Sequence, residues 1–433
     1  MGGLINRSFD LVKKVAKADI VKVFSLTSIS TLVKMCTGLI SVKVVASIIG
    51  PAGVALVGQL NNFATIVMSF ASGGINSGIT KYVAEYKEDD RKVTQYLSTA
   101  LRITGICTFI CSLLLIGLHR YISKLIMLSP DYGYVFVIFG VTVFMYALNN
   151  LLISVVNGYK EFKRYVRISI ANSIFGVVFT VTLVLFWHLE GALTAAVSYQ
   201  SFMLVNTLFM IRKLRWFNWG FFKEKLSRIV VSQFFRFTLM TLTTALTVPV
   251  VQMILRGYVM AEISTTEAGW WEAMNRISHM YLMVITSSFS VYYLPRLSEL
   301  KNPIEIRHEI FKAYKVIIPM LLCGFSLIYF LRFFIIRLLF TPQFLPMQQL
   351  FAWQMAGDLF KIASWLMAYL MVAKAMTKWY ICTEIVFSLL YLGLGYFFVQ
   401  LNGIVGLTQA YLANYIIYSL VMIFTFRRII LNY

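Results

Sequence analysis

Apolar residues run through this chain in long blocks, and short polar clusters separate them. The breaks are readable at GPAG (50–53), KEDDRK (87–92), YKEFKRYVR (159–167) and TPQFLP (341–346), where glycine, proline or charge interrupts the run. A hydrocarbon core about 30 Å thick is crossed by roughly 20 helical residues. Blocks of that order lie at 23–49, 53–80, 93–117, 133–157, 168–188, 191–211, 232–256, 268–293, 310–336, 347–373, 379–400 and 404–426. A membrane barrel would show spans of about 10 residues in strict alternation, and these blocks do not alternate. The pattern predicts an all-α polytopic membrane protein with twelve transmembrane helices.

Composition strengthens that reading. The chain is 59% hydrophobic and 13% charged, against about 45–50% and 25% for a soluble domain. Its formal charge of +21 would point to nucleic acid in a soluble protein. Here it reads as basic loops facing anionic headgroups, with membrane lipids as partners and no nucleic acid. Most of the 39 Lys and Arg fall on segments that share a side with the N-terminus. The positive-inside rule therefore places both termini in the cytoplasm. The basic stretch containing Arg7, Lys13, Lys14, Lys17 and Lys22 leads into an apolar block too long for a cleaved signal peptide. Five cysteines, Cys36, Cys107, Cys111, Cys323 and Cys382, are scattered through apolar blocks. They read as small apolar fillers, with neither a disulfide framework nor a metal site.

The largest connection, 214–231, carries LRWFNWGFFKEKLSR, a mix suited to a helix in the headgroup layer. It falls midway and divides the chain into an N-terminal lobe (1–213), a cytoplasmic interfacial linker (214–231) and a C-terminal lobe (232–433). A weak internal echo supports two parallel repeats. AGVALVGQLNN at 52 and AGWWEAMNRIS at 268 both open an even-numbered span, and TKYVAEY at 80 and PRLSEL at 295 both close it.

Polar residues inside the spans fall on helical stripes. Gln354, Asp358, Lys361, Trp365 and Tyr369 share one face of the tenth span at steps of three or four. Asp358 and Lys361 stand close enough to pair, and Trp365 and Tyr369 offer stacking surfaces for sugars. Glu272, Arg276, His279, Met283, Thr286 and Ser290 share a face of the eighth span, and Gln59, Asn62, Ser69, Gly73, Asn76 and Thr80 one of the second. Lys34 and Lys43 are nine residues apart, which puts them on opposite faces of the first span. Lys34 has no carboxylate one turn away, so it is the leading candidate for a functional cation. Arg102 and Arg236 lie near the cytoplasmic ends of their spans, where snorkelling suffices. Glu384 is similarly shallow, within reach of Lys374 or Lys378. Asn149, Asn150 and Asn172 add uncharged polar atoms. An ionisable group at the bilayer centre costs about 2.5–3.5 kcal/mol and normally faces the bundle interior or water. Lys34, Arg276 and Lys361 against the single deep carboxylate Asp358 leave an excess of positive charge. That excess points to an anionic substrate such as a phosphate or diphosphate.

Catalytic signatures are missing. There is no G-x-x-x-x-G-K-[ST], no H-E-x-x-H and no G-x-S-x-G. The four histidines are scattered, and no loop is long enough to hold a sugar-transferring domain. The expectation is a transporter without a cofactor, not an enzyme.

Five segments together carry a resemblance: GPAGVALVGQ (50–59), GINSGITKYVAEY (74–86), FTLMTLTTALTVPVVQMILR (237–256), SFSVYYLPRLSEL (288–300) and LFAWQMAGDLFKIASWLMAYLMVAKA (350–375). In order, they resemble the O-antigen translocase and lipid III flippase family. That family is the polysaccharide-transporter branch of the superfamily that includes multidrug antiporters and lipid II flippases. The resemblance implies two six-helix lobes around a central cavity in the bacterial inner membrane. It implies an undecaprenyl-diphosphate-linked oligosaccharide, an O-antigen or related repeat unit, moved from the cytoplasmic to the periplasmic leaflet. A glycan polymerase and a chain-length regulator are the further partners it brings in. It also implies lysines at 34, 43 and 361 and the aspartate at 358, whereas Arg276 rests on the stripe alone.

The mechanism to expect is alternating access, the lobes rocking about 214–231. Lys34, Arg276 and Lys361 would offset the diphosphate, with Gln59, Asn62, Asp358, Trp365 and Tyr369 completing the binding wall. Asp358, Glu384 and His279 are the candidate ion-coupling groups. Three alternatives stay open. A multidrug antiporter of the same superfamily would want deep carboxylates where this chain has cations. A major-facilitator carrier often has a basic G-x-x-x-D turn after its second span, which ITKYVAEYKEDDRK fits poorly. A non-transporting scaffold would leave the buried cations without a purpose.

Overall fold

The computed structural model describes the backbone at residues 2–214, 217, 227–374 and 376–427. Within those ranges it describes side chains from residue 28 onward, except at 236, 237, 239–241, 244, 290 and 291. Among the described residues every regular element is a helix. Eight helices among the described residues are long and apolar enough to cross a membrane, and two of these are double. The first, α1 (Gly2–Ala71), is helical except at Gly50, where φ is 65°. Glycine takes that left-handed angle without a Cβ clash, and Pro51 begins the second arm where its missing N–H costs nothing. Val45 and Val57, on either side of the turn, line one cavity, so the chain doubles back.

Five shorter or single elements complete the first half: α2 (Asn76–Tyr86), α3 (Asp90–Gly117), α4 (His119–Met127), α5 (Gly133–Gly158) and α6 (Phe162–Ile211). The last is the second double helix, broken at Trp187 and His188. A Cβ on Gly191 would strike the Leu183 carbonyl oxygen, so its two arms also touch. The second half comprises α7 (Arg228–Glu262), α8 (Thr265–Ser288), α9 (Leu294–Glu299), α10 (Pro303–Phe330), α11 (Arg332–Leu339), α12 (Phe351–Ala373), α13 (Thr377–Asn402) and α14 (Val405–Thr425). With the two hairpins opened out, and with the long but more polar α7 and α8, the crossing-length segments agree with the twelve that the hydrophobic pattern predicts.

The halves repeat the same irregularities in the same order. In the first, the second pass stops at Ala71, turns through Gly73 and Gly74 at φ 60° and 62°, and resumes as α2. In the second, α8 stops at Ser288, a π-helical turn runs over Phe289–Tyr293, and α9 resumes. The third pass of each half leads into a short helix, α4 or α11, and then a 3-10 segment beginning at Pro130 or Pro342. The hydrophobic pattern alone runs the second span unbroken to 80, leaves α4 inside a connection and carries the ninth span to 336, into α11. An apolar run does not disclose a backbone break, because the side chains on either side of it stay apolar. A further difference matters below: α7 continues to Glu262, beyond the predicted end at 256, so Arg256 lies within the helix. Most of the predicted 214–231 linker lies outside the described residues.

The second arm of α1 is the seam between the halves. It packs along both α7 and α8, and small residues set the spacing. A Cβ on Gly58 would fall 2.5 Å from the Glu272 side chain, and one on Gly269 would collide with the Pro51 carbonyl oxygen. On the other flank of α7, Phe234 meets Tyr82 and Tyr96 edge-on, and those two rings stack at 4.7 Å. Outward-facing side chains such as Phe109, Phe186 and Phe330 are exposed, as a lipid-facing surface requires. Because Gly269 seats α8 against backbone rather than a movable side chain, Gly269→Val is expected to cost about 3 kcal/mol or more of stability. Thermal unfolding in detergent, followed by size-exclusion fluorescence, checks this. An unchanged midpoint would mean the seam is not closely packed.

Candidate functional site

The larger of the two cavities that receive residues of the polar stripes, about 660 Å³, lies within the first half and is closed on one side by α8. Both arms of α1 supply its wall through Lys34, Ser41 and Asn61, and α5 and α6 supply Asn150, Asn172 and Gln200. Lys34, Thr37, Gly38, Ser41 and Val45 all line it, the i, i+3, i+4 recurrence of one helix face. Lys43 faces away and donates to the Leu338 carbonyl at the end of α11. Hydrogen bonds hold the amide wall in place. Asn206 donates to Asn172 at 2.8 Å, and the fully buried Asn149 accepts from Thr207 at 2.7 Å and donates to the Gln200 carbonyl at 3.3 Å. The Lys34 ammonium makes no hydrogen bond or ion pair to the described residues. Arg276, from α8, faces the same space beside Glu272.

A smaller cavity, about 260 Å³, lies in the second half and is lined by Lys361, Trp365, His279, Glu384, Gln354 and a group of tyrosines. Beside it, Asp358 is fully buried. It accepts hydrogen bonds from Ser278 at 2.7 Å, from the Tyr281 hydroxyl and from the Tyr411 hydroxyl at 2.8 Å. Lys361 donates to that same Tyr411 oxygen at 3.0 Å. Asp358 and Lys361 are thus linked through Tyr411 and form no direct ion pair, a correction to the expectation from their spacing. The i, i+3 spacing put both on one face of α12, but α14 inserts a hydroxyl between them. The Lys361 ammonium is 5.0 to 5.4 Å from the ring centroids of Trp365, Tyr411 and Tyr415, a cation–π cage. Trp365 therefore turns its face to Lys361.

The other expected site residues are placed as follows. Tyr369 packs on Phe289 and Tyr293, with centroids 5.4 and 6.5 Å away, outside both cavity linings. Glu384 faces the smaller cavity with Lys361 and makes no ion pair to Lys374 or Lys378 among the described residues; Lys374 instead donates to the Leu300 carbonyl. Gln59 and Asn62 point at α7: Gln59 donates to the Met253 carbonyl at 3.0 Å, and Asn62 to Gln252 at 3.4 Å. Their neighbour Asn61 is the one that faces the larger cavity. Arg102 is exposed. The side chains of Arg236 and Ser290 lie outside the described residues.

One charged residue escaped the sequence reading. Arg256 is 1% exposed, pairs with Glu272, and donates to Gln59 at 3.4 Å. Arg276 reaches the other Glu272 oxygen at 2.9 Å. A single carboxylate thus holds two guanidiniums, and through Gln59 this group touches the first half. Arg256 stood at the apparent end of a span, where a basic residue reads as interfacial. The available signal was Glu272, a carboxylate one turn from Arg276 at the start of the next span.

Comparisons with known proteins fit this architecture. A family described as Polysaccharide biosynthesis protein matches residues 20–301. The chain is 30% identical over 392 residues to the lipid III flippase of Escherichia coli (strain K12), covering 90% of this chain and 94% of the relative. An inward-facing multidrug resistance MATE family transporter of the MOP superfamily superposes with a TM-score of 0.77 at 12% identity, over 92% of this chain and 98% of that one. The lipid II flippase MurJ, in an inward closed conformation, gives 0.72 at 16% identity, over 94% and 90%. These two similarities establish the fold.

Asp358→Ala would leave three hydroxyls, those of buried Ser278 and half-buried Tyr281 and Tyr411, without their shared acceptor. At about 1–3 kcal/mol for each stranded donor, a loss of several kcal/mol is expected, and Asp358→Asn should recover part of it. Detergent melts of the two variants beside wild type test this, and equal midpoints for all three would contradict the geometry.

Proposed function

This chain belongs to the family of polysaccharide biosynthesis proteins, and we propose that it is a flippase for undecaprenyl-diphosphate-linked oligosaccharide, an O-antigen or related repeat unit. It would carry its substrate from the cytoplasmic to the periplasmic leaflet of the bacterial inner membrane by alternating access, with both termini in the cytoplasm. The observation that carries this reading is the larger cavity, an amide- and hydroxyl-lined space holding the unpaired ammonium of Lys34 and the guanidinium of Arg276. Amides and hydroxyls suit sugar hydroxyls, and two cations suit a diphosphate. The prenyl tail, being as apolar as the lipid, needs no enclosed site and would stay in the bilayer.

Lys34 and Arg276 act first in this scheme. Lys361, held in its aromatic cage with Trp365, and Asp358 behind Tyr411 form a second charged centre in the other lobe. That centre, with Glu384 and His279, is where ion coupling would reside. Gln59, Asn62 and Tyr369 support it by fixing the helices that carry these groups. A glycan polymerase and a chain-length regulator would receive the product. The runner-up is a multidrug antiporter, favoured by the shared MATE fold. Cationic drugs would meet Lys34 and Arg276 unfavourably, so charge separates two readings that the fold does not.

In proteoliposomes carrying a short undecaprenyl-diphosphate-linked glycan, exposure to a membrane-impermeant glycosidase should depend on the protein. A charged hydrogen bond contributes about 1.5–3 kcal/mol, so Lys34→Ala is expected to slow transfer about ten- to a hundredfold, with Lys34→Arg in between. Absence of protein-dependent transfer under any ion gradient would overturn the flippase reading. Transfer insensitive to Lys34→Ala would remove Lys34 from it.

A further inference from the structure

Glu272 sits at the junction of three structural demands. Its carboxylate holds Arg256 of α7 and Arg276 of α8. Its stem lies in the notch left by the missing Cβ of Gly58, on the second arm of α1. Both Glu272 and Arg276 also line the larger cavity. Arg276 spends only its Nε on Glu272, and its terminal nitrogens make no hydrogen bond to the described residues. Arg256, by contrast, is sealed inside, and its Nη1 reaches Gln59. Among the described residues the polar bonds across this part of the seam are few: Arg256 to Gln59 at 3.4 Å, Gln59 to the Met253 carbonyl at 3.0 Å, Asn62 to Gln252 at 3.4 Å and, from the first arm of α1, Lys43 to the Leu338 carbonyl. The Arg256–Gln59 bond lies toward the end of the lobes that bears the Gly50 turn, where Gly269 meets Pro51.

We infer that Glu272, Arg256 and Gln59 form a latch between the lobes that an anion in the cavity releases through Arg276. This rests on the flippase reading above and adds to it the residues that tie loading to opening. In the empty carrier Glu272 serves as a built-in anion. It bridges both guanidiniums, leaving the group one positive charge in excess, and stays in the Gly58 notch, so the Gly50 end is shut. A diphosphate entering the cavity finds the free terminal nitrogens of Arg276. Two anions on one guanidinium repel, and at low dielectric that repulsion is strong. Glu272 therefore leaves its seat, Arg256 loses the partner that aims it at Gln59, and the seam parts. When the substrate departs, Glu272 returns and recloses an empty carrier that would otherwise leak. The coupling is reciprocal: an anion that opens the latch must bind the opened form more tightly.

The test uses full-length protein in nanodiscs with the five cysteines replaced and Ala55→Cys as reporter. Ala55 is fully buried, and it shares a face of α1 with Pro51 and Gly58. Labelling by a water-soluble maleimide is timed with and without saturating inorganic pyrophosphate, whose binding is followed by calorimetry. Pyrophosphate is expected to speed labelling of the reporter protein about fivefold or more. Glu272→Gln should label fast whether or not pyrophosphate is present. Because that change strands Arg256 and endangers folding, Gln59→Leu provides a second arm. It keeps the Arg256–Glu272 pair, cuts the link to the other lobe, and should also label fast when empty. The latch is overturned if pyrophosphate fails to bind, if it binds without changing the labelling rate, or if Gln59→Leu stays as slow as the parent. Glycan transfer by a protein whose labelling ignores pyrophosphate would sink the latch and leave the flippase. A responsive latch in a protein that moves no glycan would do the reverse.

Discussion

Two guanidiniums and one carboxylate share a space from which water is largely excluded, and much of this molecule is arranged around that fact. Removing one partner from a buried ion pair typically costs about 3–5 kcal/mol. Arg256 is 1% exposed, so in the closed carrier its stability depends on Glu272. Glu272 in turn reaches it only because Gly58 leaves room and because Gly269 lets α8 lie against Pro51. The close contact of α1 with α7 and α8 follows from that pair. The same carboxylate fixes Arg276 at the cavity edge with its terminal nitrogens available. One electrostatic requirement thus sets both the packing of the seam and the chemistry facing the cavity.

The two halves share a plan of folding and differ in how they treat charge. Each breaks its second pass near the far end and follows its third with a short helix and a proline-led 3-10 segment. Yet the first half surrounds its cavity with amides and hydroxyls and leaves Lys34 unpaired. The second fills its interior with tyrosines, which cage Lys361 and bind Asp358 through hydroxyls. A tyrosine can do both, since its ring face attracts a cation and its hydroxyl donates to an anion. Tyr411 does so within one residue: its ring lies 5.4 Å from Lys361 and its hydroxyl 2.8 Å from Asp358. The first half is thereby open to a charged guest, whereas the second holds its charges in internal balance.

A division of this kind gives alternating access something to act on. In the proposed scheme substrate charge would be met on one side of the seam and ion exchange would occur on the other, and the bonds between them pass through α7 and α8. Those two helices carry Arg256, Glu272, Arg276, Ser278 and Tyr281, so they touch both centres. Movement of α8, which carries all of these except Arg256, alters both at once without a longer relay.

Much of this was written in the order of residues. Block length and the excess of Lys and Arg on one side determined a polytopic helical membrane protein. The stripe through Asp358, Lys361 and Trp365 determined that these share a face of α12, and nine-residue spacing determined that Lys34 and Lys43 do not share one. Helical geometry alone fixes such relations, because it is local. What touches a face is not local. The insertion of Tyr411 between Asp358 and Lys361, the turning of Trp365 toward a lysine, and the placing of Asn61 rather than Gln59 and Asn62 on the cavity wall depend on neighbouring helices. The burial of Arg256 depended on them most. A basic residue at the apparent end of an apolar block is stable in water or against a carboxylate, and periodicity does not distinguish the two. Only the approach of α1 to α8, permitted by glycines at 58 and 269, brought Glu272 to it and decided that the charge would be kept inside.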